Sequence, residues 1–225
     1  MSSVGLKYGV APRVEEARSG WSPQAATSTF DIPMNPPSPR FFFDAVDPLS
    51  FAMHRALCAA EKQRDIRVAR EPIESYPSDA PLTDTRDPFW QARWAEGQRV
   101  AETMGFSLVQ PDLVPRSRKA HELFLHAKES ALARPALDAI FEAYFLDGRD
   151  IGRIDVLVDI AHSLGLDLTE SKAVLDVDRY EADLARIHRQ ATEAGVTSAP
   201  GLVAPTGTLQ GFHNQAAIGT LLDGR

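Results

Sequence analysis

Residues 40–51, with the sequence RFFFDAVDPLSF, constrain the fold more than any other stretch of this chain. The run Phe41 to Phe43 is typical of a short strand covered on both faces. Asp47 then stands where a helix N-cap belongs, and Pro48 suits the first helical residue, where its missing N–H costs nothing. The segment therefore predicts a buried strand leading directly into a helix, whose N-terminus can hold an anion or a reactive group.

The rest of the pattern predicts an α/β chain with a block of helices between its second and third strands. The second strand is expected at 66–70 and a capped helix at 89–105. Further helices are expected where apolar residues recur at helical spacing, near 120–127, 137–145, 157–164, 169–175 and 180–194. A hairpin of strands at 201–204 and 208–212, followed by a last helix, is expected to close the chain.

These expectations divide the chain into three parts. Residues 1–39 are rich in Ser, Pro, Ala and Gly and predict an extended or disordered arm. That arm is either a loose tail or a segment that covers the site or joins a homodimer, anchored by Tyr8, Trp21 and Phe30. Residues 40–85 and 176–225 are assigned to one α/β domain, and residues 86–175 to an inserted helical domain.

Composition excludes several classes of function. A net charge of −7 argues against a nucleic-acid partner. No apolar run approaches the roughly 20 residues of a membrane span, and no signal peptide is recognisable, so a cytoplasmic location is expected. The single cysteine, Cys58, cannot form an intramolecular disulfide. The spacing of the histidines indicates no metal site, because His121 and His126 are five residues apart rather than four.

Four segments, in order along the chain, carry a family resemblance. FDAVDPLSF at 43–51 resembles the turn F-D-x-x-S/C-P-x-S/C-Y/W, and 70–81 resembles R-P-F-x-L-x-P. IFEAYFLDGRDI at 140–151 resembles a motif of an inserted helical domain, and GVTSAPGLV at 195–203 resembles G-V-x-G-V-P-T-F-V. The set resembles the DsbA-like branch of the thioredoxin superfamily, in particular FrnE-type proteins, 2-hydroxychromene-2-carboxylate isomerases and kappa-class glutathione transferases.

The resemblance implies an α/β thioredoxin-like fold with an inserted all-helical domain, and a site at the strand–helix turn. Redox relatives carry cysteines at the positions of Asp47 and Ser50, so the missing Cys-x-x-Cys motif leaves disulfide exchange without a nucleophile. The isomerase and transferase branch carries a serine at the Asp47 position, where it holds a glutathione thiolate. An ionised carboxylate would repel that thiolate, so binding of glutathione or mycothiol remains open.

Asp47 has two competing interpretations. As an N-cap it would accept hydrogen bonds from backbone N–H groups, stabilise the helix by about 1 kcal/mol and be a poor base. As a catalytic base it would need burial among apolar groups such as Phe43, Phe51 and Phe212. A cap that also touches substrate would satisfy both interpretations.

The other candidate site residues follow from this turn. Ser50 is a hydrogen-bond donor, unless its hydroxyl bonds back within the helix, and His54 and His213 are candidates for proton transfer. The resemblance implies a cis bond before Pro200, with Ala199 and Pro200 clamping the substrate. Trp90 and Trp94 share one side of a helix and either line the aromatic part of the cleft, with Phe43, Phe51 and Phe212, or pack in the core.

The function expected from these observations is isomerase- or transferase-type tailoring of a small aromatic or polyketide-like molecule, without redox chemistry. Two alternatives stay open: a non-catalytic binding or scaffold protein with the same fold, and a transferase that depends on glutathione or mycothiol.

Overall fold

The computed structural model describes residues 38–76 and 81–224, which all belong to one compact unit. The N-terminal arm up to residue 37, which includes Tyr8, Trp21 and Phe30, lies outside the described residues. Its expected role in covering the site or in forming a homodimer therefore stays a prediction. The described part contains no helix long and apolar enough to span a membrane.

Four strands form one mixed sheet in the order β2–β1–β3–β4. The strands are β1 (Arg40–Phe43), β2 (Ala69–Pro72), β3 (Gly201–Ala204) and β4 (Gly207–Gln210). β1 pairs in parallel with β2, and antiparallel with β3, which pairs antiparallel with β4. The central β1 is therefore the strand that carries the chain into the first helix from the middle of the sheet.

Eight helices pack around this sheet within the described residues. They are α1 (Pro48–Arg64), α2 (Pro88–Thr103), α3 (Arg118–Glu129), α4 (Ala133–Phe145), α5 (Ile154–Ser163), α6 (Leu168–Asp176), α7 (Glu181–Glu193) and α8 (Gln215–Leu222). Helices α2 to α6 follow β2 as the expected helical block. The division into domains at residues 86 and 175 stays a prediction.

The phenylalanine run of β1 lies at the centre of the core. Phe41, Phe42 and Phe43 are all fully buried, as their continuous apolar pattern predicted. The Phe43 ring contacts Phe124 of α3 and Phe141 of α4 edge-on, with ring centroids 5.2 and 5.9 Å apart. Each buried phenylalanine stabilises the fold by about 1.5–3 kcal/mol. Because Phe43 contacts both α3 and α4, the strand that positions α1 also holds the helical block against the sheet.

Two strands differ from their predicted bounds for local reasons. β2 begins at Ala69 rather than residue 66, because Asp65 ends α1 in a left-handed conformation (φ 50°) and the Val68 N–H donates to the Glu61 carboxylate. β4 ends at Gln210 because Gly211 adopts a positive φ of 75°. The sheet order, the cis Ala199–Pro200 bond and the placement of α1 match the expected thioredoxin-like architecture.

Candidate active site

A cavity of about 650 Å³ opens at the N-terminus of α1. Its walls come from the segment after β2, the start of α2, one face of α7 and the loop before β3. The lining consists of Asp47, Pro72, Ile73, Glu74, Ser75, Tyr76, Phe89, Arg93, Arg118, Glu181, Leu184, Ala185, His188, Ala191, Thr192, Val196, Thr197, Ser198 and Ala199. This volume is in the range typical of small-molecule sites in proteins.

Asp47 is the N-cap of α1, as its sequence context predicted. Its backbone is extended (φ −95°, ψ 117°), and Oδ2 accepts hydrogen bonds from the Ser50 N–H and the Ser50 hydroxyl, both at 2.7 Å. The capping geometry is therefore present, and the same carboxylate also lines the cavity.

Arg93 of α2 ties Asp47 to the loop before β3. Its Nε donates to Asp47 Oδ1 at 2.7 Å, and its Nη2 donates to the Ala199 carbonyl oxygen at 2.7 Å. One guanidinium thus joins the N-cap of α1, the first turns of α2 and the cis-peptide loop. The sequence analysis did not identify Arg93, because nothing local to α2 indicates a partner 46 residues away.

Burial and the Arg93 charge shift the pKa of Asp47 in opposite directions. Burial raises the pKa of the Asp47 carboxyl above its ordinary value of 3.8, and the Arg93 cation only partly offsets that rise. A carboxylate with a raised pKa accepts a proton more readily than an exposed one. Asp47 therefore combines the geometry of a cap with the electrostatic setting of a base.

A second buried carboxylate, Asp44, lies behind the first and was also missed by the sequence analysis. Its Oδ2 accepts from the Ser75 N–H at 2.6 Å, and His121 Nε2 lies 3.4 Å from its Oδ1. Burial opposes the ionisation of Asp44, but His121 and the Ser75 N–H outweigh it, so the pKa of Asp44 is lowered. The Asp44 N–H donates to the Ser50 hydroxyl oxygen and so fixes the group that donates to Asp47.

The outer part of the cavity combines apolar walls with polar groups. Ile73, Leu184 and Val196 supply aliphatic surface, and Tyr76 supplies a phenol whose pKa burial raises to about 12, which keeps it a neutral proton donor. Arg118 is held by Glu74, with Nε 3.0 Å from Oε1. The cavity can therefore hold a partly apolar molecule with polar or anionic substituents.

The structure brings some of the predicted site residues to this cavity and not others. Asp47 and Ala199 line it, whereas Pro200 follows Ala199 without forming part of the lining. Ser50 is fully buried and reaches the cavity only through Asp47. Its hydroxyl thus follows the alternative in which it bonds back within the first turn.

The two candidate histidines lie elsewhere. His54 faces the core side of α1, is buried, and bonds through Nε2 to Asp138 Oδ1 at 2.7 Å. His213 lies after β4, and its Nε2 is 3.1 Å from the Gln210 carbonyl oxygen. Neither lines the cavity, because His54 lies on the same buried side of α1 as Ser50, one turn further along the helix, and His213 belongs to the turn into α8. The histidine that does line it is His188 of α7, an exposed residue that was not among the candidate site residues.

The predicted aromatic lining is also in the core rather than in the cavity. Phe43 and Phe51 belong to the central cluster, and Phe212 packs against the smaller cluster of Leu49, Ala52 and Val100. Trp90 and Trp94 are buried with their rings 6.0 Å apart, and Trp94 stacks on Phe145. Within the described part of the chain, Tyr76 and Phe89 are the aromatic residues that line the cavity.

Three side chains of types that can ligate a metal converge at a different place. His54, Cys58 and Asp138 place one potential ligand atom each within 4.8 Å of the others. The sequence analysis compared only histidine pairs and missed the i, i+4 spacing of His54 and Cys58 on one helix. The expectation that the chain holds no metal site stays a prediction, made from histidine spacing without this cluster.

Comparison with known proteins identifies the family. Residues 40–220 match the model of the DSBA-like thioredoxin domain. The uncharacterized protein YwbO of Bacillus subtilis (strain 168) is 31% identical over 173 residues, which cover 73% of this chain and 84% of that protein.

Solved structures show the same fold at low sequence identity. A probable DsbA oxidoreductase from Streptomyces coelicolor is 22% identical with a TM-score of 0.69, and the match covers 82% of this chain and 88% of that one. A 2-hydroxychromene-2-carboxylate isomerase is 19% identical with a TM-score of 0.65, covering 77% and 88%. The expected fold is therefore confirmed, and the chain, which lacks the Cys-x-x-Cys motif, belongs to the DSBA-like thioredoxin domain family.

Proposed function

We propose that this protein is an enzyme without redox activity that binds a small aromatic or polyketide-like molecule in the cavity and isomerises it, or transfers a group to it, by acid–base chemistry. The observation that carries the proposal is the Asp47–Arg93 pair. It occupies the N-terminus of α1 beside the cis-peptide loop and faces a cavity of about 650 Å³. Redox members of the family carry their attacking cysteine at that position.

The hydrogen bonds of Asp47 leave one oxygen available for a substrate proton. Oδ2 already accepts two hydrogen bonds, whereas Oδ1 accepts one from Arg93. A carboxylate oxygen accepts two in-plane bonds, so Oδ1 retains one lone pair. Asp47 is thus suited to take a proton from a carbon next to a substrate carbonyl.

Arg93 supplies the complementary group. Its Nε and Nη2 are engaged with Asp47 and Ala199, and no described residue accepts a hydrogen bond from Nη1. An anionic oxygen formed when the proton leaves the carbon would be stabilised at Nη1. Return of the proton to a different carbon completes an isomerisation in which no electrons are gained or lost. Tyr76, as a neutral phenol in the same lining, is a further donor.

The test uses 2-hydroxychromene-2-carboxylate, together with a panel of aryl ketones in D₂O. Absorbance follows conversion of the first, and NMR follows exchange of the α-protons of the second. We expect turnover in the wild type and a fall of about 100-fold or more in Asp47→Asn, which keeps a good capping residue. Glu102→Gln, an exposed change near the other end of the same helix, should leave turnover unchanged.

A thiol-dependent transferase is the second candidate, and Arg93 is the observation in its favour. The positive charge of Arg93 offsets the negative charge of Asp47 and so reduces the repulsion of a thiolate. In addition, the Ala199 N–H donates to no described residue and is available to a bound thiol. Assays with and without glutathione or mycothiol separate the candidates. Conversion that requires the thiol supports the second, and conversion without it supports the first. Absence of turnover and of ligand binding in the wild type contradicts both and favours a scaffold role.

A further inference from the structure

His54 and Cys58 of α1 and Asp138 of α4 bring a nitrogen, a sulfur and an oxygen together outside the cavity. The His54 Nε2 lies 2.7 Å from Asp138 Oδ1 and 3.7 Å from Cys58 Sγ. None of the three residues lines the cavity at the N-terminus of α1. From this convergence we propose that the protein binds a divalent metal ion of the zinc type through His54 Nε2, Cys58 Sγ and Asp138.

The donor set selects the class of metal. Thiolate, imidazole and carboxylate are together the ligands of Zn²⁺ and of its substitute Co²⁺, whereas Mg²⁺ and Ca²⁺ require oxygen ligands. The i, i+4 spacing places the histidine and the cysteine on the same side of one helix. Asp138 then closes the set from a second helix, so a bound ion would link α1 to α4.

The three ligand atoms lie within 4.8 Å of one another, and side-chain movement can bring their separations to those of a tetrahedral ion. With ordinary zinc–ligand bond lengths, the ligand atoms of a tetrahedral site lie about 3.4–3.6 Å apart. The separation of 3.7 Å between nitrogen and sulfur is already suitable. The nitrogen–oxygen separation of 2.7 Å must widen by about 0.7 Å. Asp138 can provide that movement, because its side chain is 43% exposed.

The surrounding charges are compatible with a cation. Binding replaces the thiol proton of Cys58, so the thiolate and Asp138 together balance a 2+ ion. Arg70 donates from Nη2 to Cys58 Sγ at 3.5 Å, but its own charge is balanced by Glu61, with two hydrogen bonds of 2.6 and 2.7 Å. That arginine is thus suited to donate a hydrogen bond to a metal-bound thiolate. Arg134 contacts the outer oxygen of Asp138 only at 3.9 Å.

Three protein ligands leave one tetrahedral position open. His54 is buried, whereas Asp138 is partly exposed, so the open position faces the side of the site that solvent reaches. Water would complete the coordination there. The site differs in this respect from a closed structural zinc site with four protein ligands.

The test is a titration of tag-free, fully reduced protein with Co²⁺, followed by displacement with Zn²⁺. A cobalt–thiolate bond produces a near-ultraviolet charge-transfer band, so the spectrum reports on Cys58, the only cysteine. We expect a band that saturates at one ion per chain and disappears when Zn²⁺ is added. Calorimetric titration with Zn²⁺ gives the affinity, and circular dichroism of each variant establishes that it is folded.

The variants distinguish specific binding at these three ligands from adventitious binding elsewhere on the protein. Cys58→Ser should abolish the band, and Asp138→Asn should weaken Zn²⁺ binding more than about tenfold. Asp159→Asn removes a carboxylate that is 74% exposed and pairs with Arg149, and it should have no effect. The proposal is overturned if the wild type gives no thiolate band, or if Zn²⁺ binds equally well to wild type, Cys58→Ser and Asp138→Asn.

Discussion

Arg93 and Asp47 form an ion pair with 2.7 Å between Nε and Oδ1, and this contact joins the helical block to the N-terminus of α1. The Asp47 side chain is 6% exposed and that of Arg93 is 24% exposed. The pair therefore lies at the boundary between core and cavity. Its carboxylate is shielded from water, while its guanidinium retains some contact with solvent.

Replacing Arg93 by methionine should destabilise the protein. The change leaves Asp47 Oδ1 buried without its donor and the Ala199 carbonyl oxygen without its partner. We expect the free energy of unfolding to fall by about 2 kcal/mol in urea denaturation at neutral pH. The loss should be smaller in an Asp47→Asn background, because the uncompensated charge is then absent.

Arg99→Met supplies the matched control. Arg99 is an exposed residue of the same helix, so its replacement removes the same charge without disturbing the cap. We expect its unfolding free energy to stay within about 0.5 kcal/mol of the wild type. Equal losses in the two variants would show that the Arg93 contact contributes nothing specific.

The sequence predicted Asp47 as a cap and could not predict Arg93, for a simple physical reason. An N-cap depends on neighbouring residues, since Asp47 bonds to Ser50 three positions later. The arginine reaches it only because α1 and α2 pack together after folding. The same distinction explains β1, whose burial was evident from three adjacent phenylalanines, and Asp44, whose partners His121 and Ser75 are distant in sequence.

For a related reason, the sequence could not decide where the candidate aromatic residues and histidines lie. Helical spacing placed Trp90 and Trp94 on one face of α2, but it does not say whether that face meets the core or a cavity. Packing against Phe145 decided the matter for Trp94. Likewise His54 is only four residues after Ser50, yet its partner, Asp138, is supplied by α4.

Asp44 and Asp47 should give opposite dependences of stability on pH. The pKa of Asp44 is lowered in the folded state, so its contribution is present above the ordinary value of 3.8 and is lost as the pH falls through the lowered pKa. The pKa of Asp47 is raised, so its ionisation reduces stability as the pH rises from 3.8 through the raised pKa. As the pH increases, wild type should therefore gain stability relative to Asp44→Asn and lose it relative to Asp47→Asn.

Urea unfolding of wild type and both variants, from about pH 3 to about pH 7, measures these two differences. Asp159→Asn, at an exposed site, corrects for the general loss of one negative charge. Differences that change in the same direction for Asp44→Asn and Asp47→Asn would contradict the assigned pKa shifts.

Gly97→Ala should destabilise the packing of α2 on α1. A Cβ at this position would lie 2.5 Å from the Pro48 Cβ and 2.8 Å from its Cγ, so the helices would have to separate. In an unobstructed helix the same change stabilises by about 0.5–1 kcal/mol. We expect instead a loss of about 1–3 kcal/mol in unfolding free energy. Ala95→Gly, at an exposed site on α2, calibrates the helix-propensity effect, and a stabilising Gly97→Ala would refute the close contact.

Filling the cavity from α7 should prevent ligand binding without unfolding the protein. Ala185 lines the cavity and is exposed, so a tryptophan there would occupy the space between α7 and the N-terminus of α1. Anilinonaphthalene sulfonate, which is aromatic and anionic, suits the mixture of apolar wall and arginine and serves as a fluorescent probe. We expect Ala185→Trp to weaken binding of the probe by about tenfold or more, because the loss of a few hydrophobic contacts already costs more than 1.4 kcal/mol.

Ala182→Trp, on the same helix but outside the lining, should bind the probe like the wild type. Equal binding by both variants would mean that aromatic anions bind elsewhere on the protein.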